Sequence, residues 1–118
     1  MEPIQSEAGI RVPSPDYLRQ AQALCRRYGT LLVLDEVQTG MYRTGPFLAA
    51  HHFGVEPDMA VLAKAMSGGL VPVSAVLMSE PIYESVYGSL RRAIIHTSTF
   101  SENSLAEYIH SQGGTHHV

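Results

Sequence analysis

The sequence predicts an α/β layered fold built on a mostly parallel sheet with flanking helices. Three observations carry that expectation. LLVLDE, from Leu31, and DMAVLA, from Asp58 to Ala63, are short apolar runs of the kind that form buried parallel strands. Helical patterns precede the first run and separate it from the second. Each run ends in residues able to carry chemistry, Asp35 and Glu36 in one case and Lys64 in the other. Ligands of such sheets bind beyond the carboxyl ends of the strands, where Asp35 and Lys64 both fall.

The elements follow in order. Ser14 is placed to cap a first helix, Pro15 suits its first turn, Asp16 favours the positive end of its dipole, and Gly29 closes it. Leu18, Ala21, Leu24, Cys25 and Tyr28 recur at helical spacing and mark its apolar face. After LLVLDE, the segment QTGMYRTGPF is a glycine-punctuated loop, and a short helical stretch is expected around residues 48–53. DMAVLA forms the second strand, with Lys64 just past its end, and VSAVLM the third. EPIYESVYGSLRR predicts a helix opened by Glu80 and Pro81. IIHTSTFSENSLA is a hydroxyl-rich loop, with a helix starting near Ser104. No internal repeat or low-complexity tract interrupts this order.

Composition narrows the function. At 118 residues and 45% hydrophobic, the chain is about one small domain long and can build a core. Eight basic residues against eleven acidic ones leave no electrostatic footprint for nucleic acid or an anionic membrane. The single cysteine, Cys25, excludes an internal disulfide and fits a reducing compartment. No apolar run approaches membrane-spanning length, and MEPIQSEAG lacks the basic start and apolar centre of a signal peptide. A soluble cytoplasmic protein is expected. The abrupt start in EPIQSEAGI and the polar end in HSQGGTHHV read as a piece of something larger.

Lys64 is the only lysine; the other basic residues are arginines. A charged amine is costly at a buried strand end, and a neutral amine is the form that attacks a carbonyl to make a Schiff base. The plain alternative is a lysine that snorkels to water. Asp35 closes an apolar strand and needs a strong partner, for which a pyridinium N–H, a helix terminus or an arginine would serve. LLVLDE also looks like the magnesium-holding strand of P-loop ATPases. That reading requires a GxxxxGK[ST] loop, which this sequence lacks; a loop lost with a missing N-terminus would restore it. The adjacent pairs His51–His52 and His116–His117 have no carboxylate or cysteine at ligand spacing, so no metal site is expected. No nucleophile elbow supports serine hydrolysis.

EPIQSEAG, LLVLDEVQTGMYRTGPFLA, PDMAVLAKAMSGGLVPVSAVL and HTSTFSENSLA together resemble class III pyridoxal-phosphate aminotransferases, the group of ornithine, acetylornithine and 4-aminobutyrate aminotransferases. The match runs in register from Glu2 to about Ala106. It implies part of the large domain of a fold-type I transferase over residues 1–106 and a divergent tail over 107–118. It also implies pyridoxal 5'-phosphate as cofactor and amino transfer between an amine or amino acid, of the ω-amine type, and a 2-oxo acid. By the same resemblance Lys64 holds the cofactor and shuttles the substrate proton, and Asp35 pairs with the pyridine nitrogen. Val37 packs on the ring, and Gln38 lies near the phenolic oxygen. Thr99 reaches the cofactor phosphate of a neighbouring subunit, which implies a homodimer. Glu2 matches a glutamate that pairs with a substrate-binding arginine; Glu36 and Arg43 read as structural partners.

The departures are Ser101 and Glu102 where relatives run through glycines, and Ser104 where a proline is common. The family's phosphate loop, ring-stacking aromatic, substrate arginines and small domain match nothing in these residues. Aminomutases and decarboxylases share the same lysine. A piece of this size without catalysis is the alternative from a different class.

Overall fold

The computed structural model describes residues 1–89, 103–105 and 108. Helix α1 (Tyr17–Tyr28) leads into strand β1 (Val33–Asp35), and a short 3-10 helix (Ala49–Phe53) precedes β2 (Met59–Leu62). A second 3-10 helix (Lys64–Ser67), strand β3 (Ala75–Met78) and helix α2 (Glu80–Tyr87) follow. Ser104, Leu105 and Tyr108 are helical, as expected from Ser104 onward. Thr99, Ser101, Glu102, His116 and His117 lie outside the described residues.

Local chemistry explains the boundaries, with one correction. Asp16, not Ser14, occupies the cap position of α1, and its side chain pairs with Arg19 at 2.5 Å instead of capping. Ser14 contributes its carbonyl, which accepts the Tyr17 N–H. Gly29 ends the helix in the left-handed region at φ 62°, and the Thr30 N–H returns to the Cys25 carbonyl. Glu80 and Pro81 open α2, and Gly88 closes it with a bond to the Glu84 carbonyl.

The sheet has the order β1-β2-β3, with β1 parallel to β2 and β2 antiparallel to β3. The third strand departs from a mostly parallel sheet because no crossover helix separates it from β2. Only the short 3-10 turn and the SGGL loop intervene, too little for a parallel return. Asp58 fastens the start of the parallel pair: its carboxylate accepts the Leu32 N–H at 2.7 Å, and its own N–H donates to the Leu32 carbonyl.

One face of the sheet builds the core. Leu34, Ala60 and Leu62 point into a cluster with Leu18 of α1, Leu48, Phe53 and Val55. The alternating residues of β1, Val33 and Asp35, are exposed, so the strand is not buried on both faces as its apolar composition suggested. Helix α1 shows the same economy. Leu18 is buried and Ala21, Gln22 and Cys25 are half-buried, whereas Leu24 and Tyr28 are 54% and 70% exposed despite their spacing. No described helix is long and apolar enough to cross a membrane.

Candidate active site

The site lies where the parallel strands end. Asp35 pairs in register with Val61, and Lys64 stands three residues beyond Val61, just past the end of β2. The Glu36 N–H donates to the Val61 carbonyl at 3.0 Å, which carries the ladder one residue past β1. On the outer edge of β1, the Met1 α-amine donates to the Val33 carbonyl and the Asp35 N–H to the Met1 carbonyl, both at 2.8 Å.

Period-two geometry separates the two carboxylates of LLVLDE. Glu36 turns inward and is 1% exposed. Its Oε2 accepts the Thr39 hydroxyl at 2.5 Å and the Ala49 N–H at 3.1 Å, and its Oε1 accepts the Ala50 N–H at 2.9 Å. It is a structural partner, as the sequence indicated. Arg43 is exposed, and its backbone N–H donates to the Gly40 carbonyl. Asp35 turns outward. Its Oδ1 accepts the Val37 N–H at 3.1 Å, a local turn bond that leaves Oδ2 for another donor.

Lys64 has left-handed backbone geometry at φ 51°, rare for a residue with a side chain. It opens the second 3-10 helix, whose last residue, Ser67, is buried. The Ser67 hydroxyl donates to the Val71 carbonyl at 2.5 Å and accepts the Val71 N–H at 3.2 Å. The AMSGG segment is thus clasped rather than loose. Lys64 itself is exposed, which corrects the buried setting expected from its apolar neighbours. Those neighbours face the core and the loop, and the lysine side chain leaves them at the strand end.

A cavity of about 230 Å³ brings Lys64, Asp35, Val37, Gln38 and Glu2 together. Five of the six residues singled out from sequence meet there; the sixth, Thr99, is outside the described residues. Glu7 and Thr39 also line the cavity, and sequence reasoning missed both. Glu7 accepts a hydrogen bond from Gln38 Nε2 at 2.8 Å across 31 residues of sequence. Its only sequence signal was its place in EPIQSEAG. Glu2 is engaged locally, its Oε2 accepting the Ser6 N–H at 3.0 Å.

An amine, a carboxylate and an amide around an aliphatic side chain fit a flat heteroaromatic ring. Such a ring would carry a carbonyl, a ring N–H and an acceptor oxygen. Among the described residues, no further basic side chain lines the cavity to meet a phosphate. The volume is below the ~300–1,000 Å³ usual for complete ligand pockets. The residues present suit one end of such a ligand.

Fold and site thus define an α/β protein that offers a lone amine and a carboxylate at the carboxyl ends of adjacent strands. The family model described as aminotransferase class-III matches residues 1–112. The chain belongs to the class-III aminotransferase family. It is 47% identical over 105 residues to an uncharacterised aminotransferase of Schizosaccharomyces pombe, covering 89% of this chain and 22% of that protein. It is 46% identical over 106 residues to a putrescine aminotransferase of Pectobacterium atrosepticum, covering 90% and 22% respectively. The fold matches an ornithine aminotransferase of Toxoplasma gondii at TM-score 0.85 and 43% identity, over 95% of this chain and 25% of the other. An (S)-enantioselective omega-transaminase of Thermomicrobium roseum matches at TM-score 0.87 and 36% identity, over 94% and 25%. The chain therefore spans about a quarter of the length of these relatives.

Proposed function

We propose that this chain carries the ring-binding part of a pyridoxal 5'-phosphate site in the large domain of a transaminase. The whole enzyme would move an amino group between an amine or amino acid and a 2-oxo acid. The observation that carries this reading is the meeting of Lys64, Asp35, Val37 and Gln38 on one cavity at the ends of β1 and β2. When bound, the cofactor supplies a carbonyl and a ring that accepts electrons.

The chain's own residues divide the remaining tasks. Lys64 Nζ would hold the cofactor through its carbonyl group and would take and return the proton at the substrate carbon. Asp35, whose Oδ1 accepts the Val37 N–H, would accept the ring N–H through Oδ2 and keep that nitrogen protonated. Val37 offers an aliphatic face to the ring, and Gln38 an amide to its acceptor oxygen. Glu2 is assigned to pairing with a substrate-binding arginine, and Thr99 to the phosphate of a neighbouring subunit in a homodimer. Residues 1–106 form the partial large domain and 107–118 a divergent tail. The ω-amine preference draws support from relatives named for putrescine, ornithine and omega-amines. A cytoplasmic setting is proposed from the sequence and its single cysteine.

A specific observation favours a second reading, a chain of this length without catalysis of its own. The cavity is small, and among the described residues Lys64 is its only basic side chain. Borohydride reduction of the full chain mixed with pyridoxal phosphate, followed by peptide mapping, separates the two. A reduced adduct on Lys64 that Lys64→Arg removes supports the cofactor site. An adduct only on the Met1 amine rejects it for this chain.

A further inference from the structure

Ser67 does not line the cavity, yet it is the buried end of the turn that Lys64 opens. It is 3% exposed. Its hydroxyl meets both polar groups of Val71, donating to the carbonyl at 2.5 Å and accepting the N–H at 3.2 Å. A hydroxyl can do both at once, because it has one donor and two acceptor lone pairs. Beside it, Met66 packs against the core cluster, and the Gly68 N–H returns to the Ala65 carbonyl at 2.9 Å. Gly68 at φ 65° and Gly69 at φ 82° then turn the chain back toward β3.

The other end of the turn is fixed as well. Leu62 pairs with Ala75 where β2 and β3 meet the loop, and the Met66 N–H donates to the Ala63 carbonyl at 3.3 Å. Between these anchored ends Lys64 takes φ 51°. A residue with a Cβ keeps that conformation only where its surroundings over-determine it. Relaxation to the right-handed region would re-aim the Cα–Cβ bond. The amine would then leave the cavity that it lines with Asp35 and Val37.

We propose that Ser67 is a positioning residue whose clasp on Val71 holds Lys64 in the left-handed conformation that aims its amine into the cavity. This rests on the ring-binding reading above and deepens it. The hydroxyl acts through the backbone of the turn and touches neither ring nor substrate. Without it the turn is held at one end only, and Lys64 can exchange its strained geometry for an ordinary one.

The test has two arms, both on the full chain. The first reads the backbone. Lys64→Gly should unfold at higher urea than Lys64→Ala, because glycine tolerates left-handed geometry. Adding Ser67→Ala to each should close that gap, and adding Ser67→Thr, which keeps the hydroxyl, should preserve it. A general loss of stability lowers both midpoints together and leaves the gap intact. Should Ser67→Ala prevent folding, Ser67→Cys, a weaker donor and acceptor, takes its place. The second arm reads the amine in chains that retain Lys64. Adducts formed on it by subsaturating pyridoxal phosphate, and by propanal, which needs no site, are trapped with borohydride and mapped. Ser67→Ala is expected to cut the pyridoxal phosphate adduct about fivefold, the population lost when the left-handed form is no longer enforced. The propanal adduct should not change, and Ser67→Thr should restore the first adduct. A urea gap that survives Ser67→Ala overturns the proposal, as does a pyridoxal phosphate adduct that falls no more than the propanal adduct. A wild-type chain with no pyridoxal phosphate adduct on Lys64 rejects the cofactor reading instead. The urea midpoints then decide by themselves whether the clasp sets the turn.

Discussion

Lys64 occupies a backbone conformation that costs a residue with a side chain about 1–2 kcal/mol, and glycine almost nothing. Its side chain is exposed, so truncation removes little packing. Lys64→Gly is therefore expected to be more stable than Lys64→Ala by about 1 kcal/mol, read as the shift in urea midpoint at constant slope. Equal midpoints would mean that the left-handed turn stores no strain. The converse holds at Gly40, which has an ordinary backbone but no room. A Cβ there would lie 2.6 Å from Leu62 Cδ2 and 2.9 Å from the Glu36 carbonyl. Gly40→Ala should cost about 1–3 kcal/mol by overpacking, measured the same way. A loss below about 0.5 kcal/mol would show that β1 and β2 shift apart freely. At this scale the chemistry of the site was largely legible. Lys64 and Asp35 stand out because charged groups end apolar runs, and the resemblance supplied Val37 and Gln38. Glu7 was not legible, because its meaning rests on a contact between segments 31 residues apart, which no local pattern encodes. The exposure of Lys64 was misjudged for a related reason. Neighbouring apolar residues describe the strand, not the direction in which the next side chain leaves it.

Between residue and molecule stands Glu36, which joins two elements. It satisfies the N–H groups of Ala49 and Ala50 at the start of a 3-10 helix whose first two residues are fully buried. The same side chain binds Thr39 in the turn that carries Val37 and Gln38. One carboxylate thus locks the helix onto the end of β1 and fixes the turn beside the cavity. Glu36→Ala leaves buried donors without partners, at about 1–3 kcal/mol each, and is expected to cost about 3–5 kcal/mol in all. Glu36→Gln keeps one acceptor and should cost less. Thermal unfolding followed by circular dichroism would rank the two, and equal losses would remove the hydrogen-bond explanation. The adjacency of Asp35 and Glu36 made this division partly readable, since neighbours in a strand point to opposite faces. What the sequence could not convey was which carboxylate faced the core. That depends on the side from which α1 and the 3-10 helix cover the sheet. Coverage from one side also explains why apolar composition overstated the burial of β1, and why the α1 spacing predicted a wider buried face than the structure uses.

The whole molecule is a three-stranded sheet covered on one side among the described residues. Strand register places Val33, Met59 and Met78 in one row of the other face, and Asp35, Val61 and Val76 in the next. Val33 and Val76 are 38% and 47% exposed there. Among the described residues, the outer edge of β1 is met by Met1 alone, through one pair of ladder bonds. An apolar face beside a partly paired edge is the combination that favours association between chains. Covering it with a second copy would remove apolar surface from water at about 25 cal/mol per Å². The purified chain is therefore expected to self-associate across the micromolar range, where exposed strands commonly aggregate. Lys substitutions at both Val33 and Val76 should return it to a monomer, because desolvating two ammonium groups on that face outweighs the area gained. Both positions lie outside the core cluster, so the folded state should persist in the double variant. Sedimentation velocity at several concentrations decides the matter. A wild-type chain that stays monomeric throughout would mean that the open face is compatible with water. Association unchanged in the double variant would move the contact to the β1 edge, where a Val33→Pro substitution, by removing a backbone N–H, could then be compared.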